Sequence, residues 1–221
     1  MTLIEKTTPA AASAQRTRNP RGQGAHLREE IIAGATAVLE RTGSEEAVSL
    51  RAIAREIGIA SPSITRHFVD LPEIIDAVVA EELSGLYQAI LRAAEGREDP
   101  VERLMSICGS YVSYGRAHPA RYRVLIGRRY LEDWEDRNLV MANTAPVMAA
   151  AINVFTETIQ ACVDTGRSES TDAAFDTLVT WFALHGLVVV PAAITSLAWP
   201  DDHDLLVASV SRSARLIDRP V

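Results

Sequence analysis

Apolar residues recur at helical spacing along most of this chain, and turn residues cut the repeats into separate segments. In the first segment, His26 to Thr42, the residues Ile31, Ile32, Ala35, Val38 and Leu39 form one inward stripe that Gly43 ends. The next, Ser49 to Phe68, reads SLRAIAREIGIASPSITRHF. Ser49 is a favourable N-cap, and Leu50, Ile53, Ala54 and Ile57 repeat until Gly58 supplies the left-handed residue that ends the helix. Ile59 seals the corner. Ser61 is expected to cap a second helix with Pro62 at its first position, where a missing N–H is harmless. Ile64 and Phe68 point inward, which directs Ser63, Thr65, Arg66 and His67 outward.

Two short helices, a tight turn, and hydroxyls with a cation on the outer face of the second make the pattern of a helix-turn-helix that reads the DNA major groove. A helical hairpin that is polar only because it meets water fits the same residues taken alone. The flanking segments favour the first reading. Helix 26–42 adds a third member to the small core, and Asp70-Leu71-Pro72-Glu73 has the spacing of a capping box that opens a long helix to about Ala93. Ser63, Thr65 and Arg66 are then the expected base-facing residues, with Arg28, Ser49, Arg51, Ser61 and His67 for phosphate.

Beyond the long helix the repeats predict a bundle. Asp99-Pro100-Val101-Glu102 caps a helix through about Ala117 that presents Leu104, Met105, Cys108, Tyr111 and Val112, and His118-Pro119 breaks it. A short helix carries Tyr122, Leu125 and Ile126, and RRYLEDWEDRN after it is a charged connector with the look of a loop over a pocket. Another helix is expected from Pro146 to Val163, then a polar link from Gly166 to Thr171. Trp181 to Trp199 has no Asp, Glu, Lys or Arg in nineteen residues, which is long enough to span a bilayer. Acidic flanks at Asp176 and Asp201, and Pro191 and His185 within, argue against a membrane and for a buried or subunit-contact helix. A last helix from Asp202 to about Asp218 repeats Leu205, Leu206, Val210, Ala214 and Ile217. The two together suit a four-helix contact between copies of a homodimer, which would set two reading helices about 34–36 Å apart or somewhat more.

Composition changes this picture little. At 221 residues and 48% hydrophobic, the chain can bury a substantial core, and 5% aromatic content with few alternating runs argues for an all-α fold. Charge is divided unevenly: residues 1–70 hold nine Lys/Arg and eight Asp/Glu, whereas residues 71–221 hold thirteen and twenty-one. Only the front end suits DNA. Arg16, Arg18, Arg21 and Arg28 form a basic stretch that can follow phosphates, or equally serve as a solubilising tail. Met1 to Asn19 has no apolar run of the kind a signal peptide needs, so a cytoplasmic protein is expected.

Candidate catalytic chemistry is sparse. No G-x-S-x-G, P-loop, H-E-x-x-H or C-x-x-C occurs, and Cys108 and Cys162 lie in apolar helical contexts that fit reduced core residues. No metal site or cofactor is expected. His185 with a cysteine is the one enzyme arrangement to weigh; a core or ligand-orienting histidine fits it better, since nothing else marks a nucleophile. A small, largely apolar ligand lined by Met105, Cys108, Tyr111, Tyr122, Phe155, Trp181 and His185 is the expectation, with a helical small-molecule-binding protein or His185 enzyme as the alternative.

The stretch VSLRAIAREIGIASPSITRHF followed by a long helix resembles the tetracycline-repressor (TetR) family of bacterial regulators, over about residues 26–80. HPARYRVLIG and Trp181-Phe-Ala-Leu-His185-Gly186 resemble the Trp-His-Gly type of ligand domain within it. Thr65 stands where the family commonly has Tyr, and Leu71 where it has Lys, both usual phosphate contacts. The resemblance implies a homodimeric repressor that a small effector releases from a palindromic DNA operator. The corresponding organisation is a flexible arm at 1–19, a DNA-binding domain at 20–70 and a ligand and dimerisation domain at 71–221.

Overall fold

The computed structural model describes residues 24–127 and 138–218. Among them are nine α-helices, one short 3-10 turn at Glu45–Ala47 and no strand. The first three helices are α1 (Gly24–Thr42), α2 (Leu50–Glu56) and α3 (Ser61–Ile64). The long α4 (Leu71–Ala94) then runs into α5 (Pro100–Ala117), α6 (Pro119–Gly127), α7 (Asn138–Asp164), α8 (Ala173–Ala193) and α9 (Asp202–Ser213). The proposed N-terminal arm with Arg16, Arg18 and Arg21, and nearly all of the charged connector after α6, lie outside the described residues.

Side-chain caps fix where most of the helices begin. Asp70 accepts the Glu73 amide at 2.9 Å, while the Glu73 carboxylate accepts the Val69 amide at 2.7 Å, so α4 starts with two backbone donors satisfied. Asp99 accepts the amides of Val101 and Glu102, both at 2.9 Å, and Asp172 accepts that of Phe175. One continuous apolar core joins all of this. It begins with Ile31, Ala35 and Leu39 of α1, passes through Ile53, Ile64 and Phe68 to Ile74 and Val78 of α4, and continues into α5 to α9. No break in packing marks the boundary expected near residue 70.

Several elements differ from the sequence-based expectation. Helix α7 begins at Asn138, with Pro146 inside it and no longer at its start. Helix α8 begins at the Asp172 cap and ends at Ala193, so the apolar run to Trp199 is only partly helical. After α8, the Trp199 indole folds back to donate to the Ile194 carbonyl at 2.9 Å. Helix α9 stops at Ser213. Arg215 takes a left-handed φ of 50°, which turns the chain so that Ile217 donates to the Arg167 carbonyl at 3.1 Å and Ser168 pairs with Leu216. Ile217 is accordingly exposed and not part of the α9 stripe.

Candidate DNA-binding surface and effector cavity

Helices α1 and α2 meet at short range because the sequence removes a side chain at their contact. A Cβ on Gly34 would lie 2.5 Å from the Ile57 methyl, so only glycine allows α1 and α2 this approach. Gly58 holds the turn at φ +68°. Ser49 accepts the Ala52 amide at 3.1 Å and caps α2 as expected. Ser61 does not cap α3: Ala60 occupies the extended N-cap position without a side-chain bond, and Pro62 sits in the first turn. The reading segment is one helical turn from Ser61 to Ile64, prolonged by the bonds from His67 and Phe68 to the Ile64 carbonyl.

Ile64 and Phe68 are buried, and Thr65 and Arg66 are exposed, with Ser63 and His67 partly so. Arg51 is exposed on α2 beside the exposed cap Ser49. Ser49, Arg51, Ser61, Ser63, Thr65, Arg66 and His67 are thus all at least partly exposed. Arg28 is held apart. Its guanidinium lies 4.2 Å from the centre of the Phe68 ring and 3.7 Å from the Glu73 carboxylate, which ties α1 to the end of the reading segment. Thr65 donates to the Pro62 carbonyl at 3.1 Å.

The second site is a cavity of about 390 Å³ among α4, α5, α6, α7 and α8. Leu83, Leu86 and Ile90 of α4 form one wall, Leu125 and Ile126 of α6 another, and Met148, Ala151, Ile152 and Phe155 of α7 a third. Tyr111 comes from α5, and Thr177, Trp181, Phe182 and His185 from α8. Four of the expected lining residues are here: Tyr111, Phe155, Trp181 and His185. Met105 and Cys108 are not. They lie one to two turns before Tyr111 on α5, and Cys108 is fully buried in the core. Tyr122 does not line the cavity but contacts two residues that do, His185 and Tyr111. The wall contributed by α4 was missed, although Leu83, Leu86 and Ile90 fall at i, i+3 and i+7 on one helix face.

The cavity has one polar corner. The Tyr122 hydroxyl lies 2.5 Å from His185 Nδ1, the Tyr111 hydroxyl 3.1 Å from His185 Nε2, and the two hydroxyls 3.0 Å from each other. Trp181 meets the imidazole edge-to-face with ring centres 4.5 Å apart. Burial lowers the His185 pKa to about 4, so the ring is neutral near pH 7, and burial raises that of Tyr122 to about 12. Tyr111 is pushed up as well, first by burial and then by the neighbouring Tyr122. The Tyr111 hydroxyl also lies 3.3 Å from Nδ1, between the two ring nitrogens, so the three neutral groups form one compact polar cluster. Among the described residues none of those lining the cavity carries a formal charge, which makes this part of the wall a poor host for an ion. Burial also raises the pKa of Cys108, and that of Cys162 to about 11, and neither lines the cavity; no thiolate accompanies His185.

Comparison with known proteins agrees with this architecture. Residues 104–213 match the family model described as tetracyclin repressor-like, C-terminal domain. An uncharacterised HTH-type transcriptional regulator of Mycobacterium tuberculosis is 24% identical over 163 residues, covering 74% of this chain and 69% of that protein. Among solved structures, a protein of unknown function from Rhodococcus sp. RHA1 is 24% identical with a TM-score of 0.73, over 86% of this chain and 94% of that one. A bacterial regulatory protein in the tetR family from Rhodococcus RHA1 is 22% identical with a TM-score of 0.65, over 88% and 98%. A helix-turn-helix unit on a long helix that also walls a ligand cavity defines a one-component regulator. The chain belongs to the TetR family of ligand-responsive, DNA-binding transcriptional regulators.

Proposed function

We propose that this protein is a homodimeric repressor that leaves a near-palindromic operator when a small, neutral, apolar effector enters the cavity. The observation that carries this reading is the double use of α4: Ile74, Ile75 and Val78 pack in the core shared with the DNA-binding unit, and Leu83, Leu86 and Ile90 line the cavity. From Ile74 to Ile90 a helix rises about 24 Å, so a tilt imposed at one end moves the other. Effector binding then changes the spacing of the two reading segments, and a coupling of about 1.4–3 kcal/mol lowers operator affinity ten- to a hundredfold or somewhat more.

Within this reading Ser63, Thr65 and Arg66 face bases, and Ser49, Arg51, Ser61 and His67 face phosphates. Arg28 supports the surface by stacking on Phe68 and has its own phosphate contact only by leaving that ring. The uncharged lining among the described residues and the neutral Tyr111–Tyr122–His185 corner support a neutral effector.

The dimer face is set by α8. Phe175, Leu178, Val179, Phe182 and Val190 are exposed there, and Phe182 and Val190 frame Gly186, where an added Cβ would meet nothing within 4 Å. A helix of this length and apolarity passes as a membrane span on composition, yet its other face buries Asp176, Thr177 and Thr180 in the bundle. A second copy of this chain is the simpler cover, with α9 alongside. Val210, expected at that contact, is buried within the chain itself and belongs to the core.

The experiment is a binding titration of purified protein on its own promoter region at several salt concentrations. Log affinity falls linearly with log salt if Arg and Lys displace counterions from phosphate. Equal affinity for random DNA, or no salt response, would end the repressor reading.

A further inference from the structure

At the junction of the DNA-binding unit and the bundle, one arginine is shared between two carboxylates on different helices. Arg121 of α6 places one terminal nitrogen 3.0 Å from Glu82 of α4 and the other 2.7 Å from Glu40 of α1. Its neighbour His118 lies 3.7 Å from Glu40 and contacts the same Arg121 nitrogen. Tyr114 packs edge-to-face on His118, and its hydroxyl donates to the Glu82 carbonyl at 3.5 Å. Glu82 is only 3% exposed, and burial raises its pKa against the opposing pull of Arg121.

The network is incompletely paired where pairing matters most. Glu82 Oε1 and Arg121 Nε are both buried with no partner at normal hydrogen-bond distance, the Tyr114 hydroxyl acting on the Glu82 carboxylate only from farther off. Buried polar atoms of native proteins are nearly always satisfied, so two orphans of opposite type within one ion pair point to a second arrangement of the same groups. The guanidinium offers its Nε and the adjacent terminal nitrogen as a parallel fork for a carboxylate. Turning that edge onto Glu82 pairs both orphans, but it takes the nitrogen now on Glu40 away from α1.

The same short helix reaches the cavity. Leu125 and Ile126, one turn beyond Arg121, are part of the cavity wall. We propose that Arg121 is a two-position latch: it joins Glu40 and Glu82 in the empty protein, and an effector pressing on Leu125 and Ile126 moves it wholly onto Glu82, freeing α1 and the reading segment. This rests on the regulator reading and names the residue through which α6 contributes to it. Arg121 touches neither DNA nor effector. It is a positioning residue, and its signature lies in the coupling between the two sites and not in either affinity alone.

The test uses the neutral fluorophore N-phenyl-1-naphthylamine as cavity probe and a DNA fragment selected for tight binding from a random pool. The coupling factor is the ratio of probe affinities without and with saturating DNA. Glu40→Gln cuts the latch at its exposed end and leaves Glu82 paired, so it avoids the folding risk of Arg121→Met. The expected result is a coupling factor that falls at least fivefold toward one in Glu40→Gln, with probe affinity of the DNA-free protein within about twofold of wild type. Arg121→Lys, which keeps charge and loses the fork, is expected to fall similarly, and the charge exchange Glu40→Arg with Arg121→Glu to stay uncoupled because Glu82 then faces a like charge. A wild-type factor above ten that is unchanged in Glu40→Gln and Arg121→Lys overturns the latch alone. A wild-type factor of one, with both ligands shown to bind, overturns the latch together with the inducer reading.

Discussion

Lowering the pH should destabilise this protein through His185 in a window set by the cavity corner. The imidazole has an ordinary pKa near 6.5, and burial lowers it to about 4 in the folded protein. Between those values the unfolded chain binds a proton that the folded chain refuses, so stability is full above about pH 6.5 and is lost as pH falls toward 4. A displacement of this size corresponds to an upper bound of about 3.4 kcal/mol at 1.36 kcal/mol per unit, and the ring is partly exposed, so about 2 kcal/mol is the expected loss. His185→Leu removes the titration and keeps an apolar filler, at the cost of one unpaired tyrosine hydroxyl, about 1–3 kcal/mol at every pH. The assay is urea denaturation of both proteins at equal concentration at about pH 7 and pH 4.5. Carboxylates such as Glu82 and Asp99 titrate in both and largely cancel in the difference. Wild type should lose about 2 kcal/mol more than the variant over that interval. Parallel losses would refute the reasoning, because they would mean that His185 is solvated in the folded protein.

Three further outcomes follow from particular residues. Arg66→Ala should cost about 1–3 kcal/mol of operator binding and relax preference at one base position, read by competition among operator variants; a uniform loss on all DNA would make Arg66 a phosphate contact. Phe182→Glu should give soluble, folded monomer by light scattering and circular dichroism, since Phe182 is 66% exposed in the single chain, whereas Val210→Glu should unfold it because Val210 is 0% exposed. A folded dimer carrying Phe182→Glu would place the interface elsewhere. Gly34→Ala puts a methyl 2.5 Å from Ile57 and should lower the melting temperature by several degrees, with operator binding falling in step; an unchanged melting temperature would show that α1 and α2 separate freely.

The helix-turn-helix was legible in the sequence because its determinants are local. Gly43, Ser49, Gly58 and Asp70 each fix a boundary through their own backbone or side chain, and the structure keeps all four in those roles. Ser61 was misplaced by one residue, since proline is tolerated through the first helical turn and Ser-Pro does not by itself say which residue is the cap. Apolar runs were less informative. The polar link to Thr171 marked the start of α8 at its Asp172 cap, but Trp181–Trp199 has no charged residue, so periodicity carried no mark of the end at Ala193.

The cavity was only partly legible for a related reason. Helical spacing tells which face of α5 points inward, and Met105, Cys108 and Tyr111 share it roughly; it does not tell where along the axis a gap opens between helices. Of the three, only Tyr111 reaches that gap. The walls from α4 and α6 depend on how distant segments pack, which one sequence does not encode at any single position. The junction of Glu40, Glu82 and Arg121 brings together residues from three helices and left no spacing signal at all.

The central claim, that one helix joins a DNA-reading unit to an apolar effector cavity, is tested most directly by reciprocity. Neutral apolar compounds are screened for a rise in melting temperature, and each hit is titrated calorimetrically into the protein with and without saturating operator DNA. Operator should weaken effector binding ten- to a hundredfold, and effector should weaken operator binding by the same factor, because the two share one coupling free energy. A compound that binds tightly in the cavity with an affinity untouched by operator would contradict the claim.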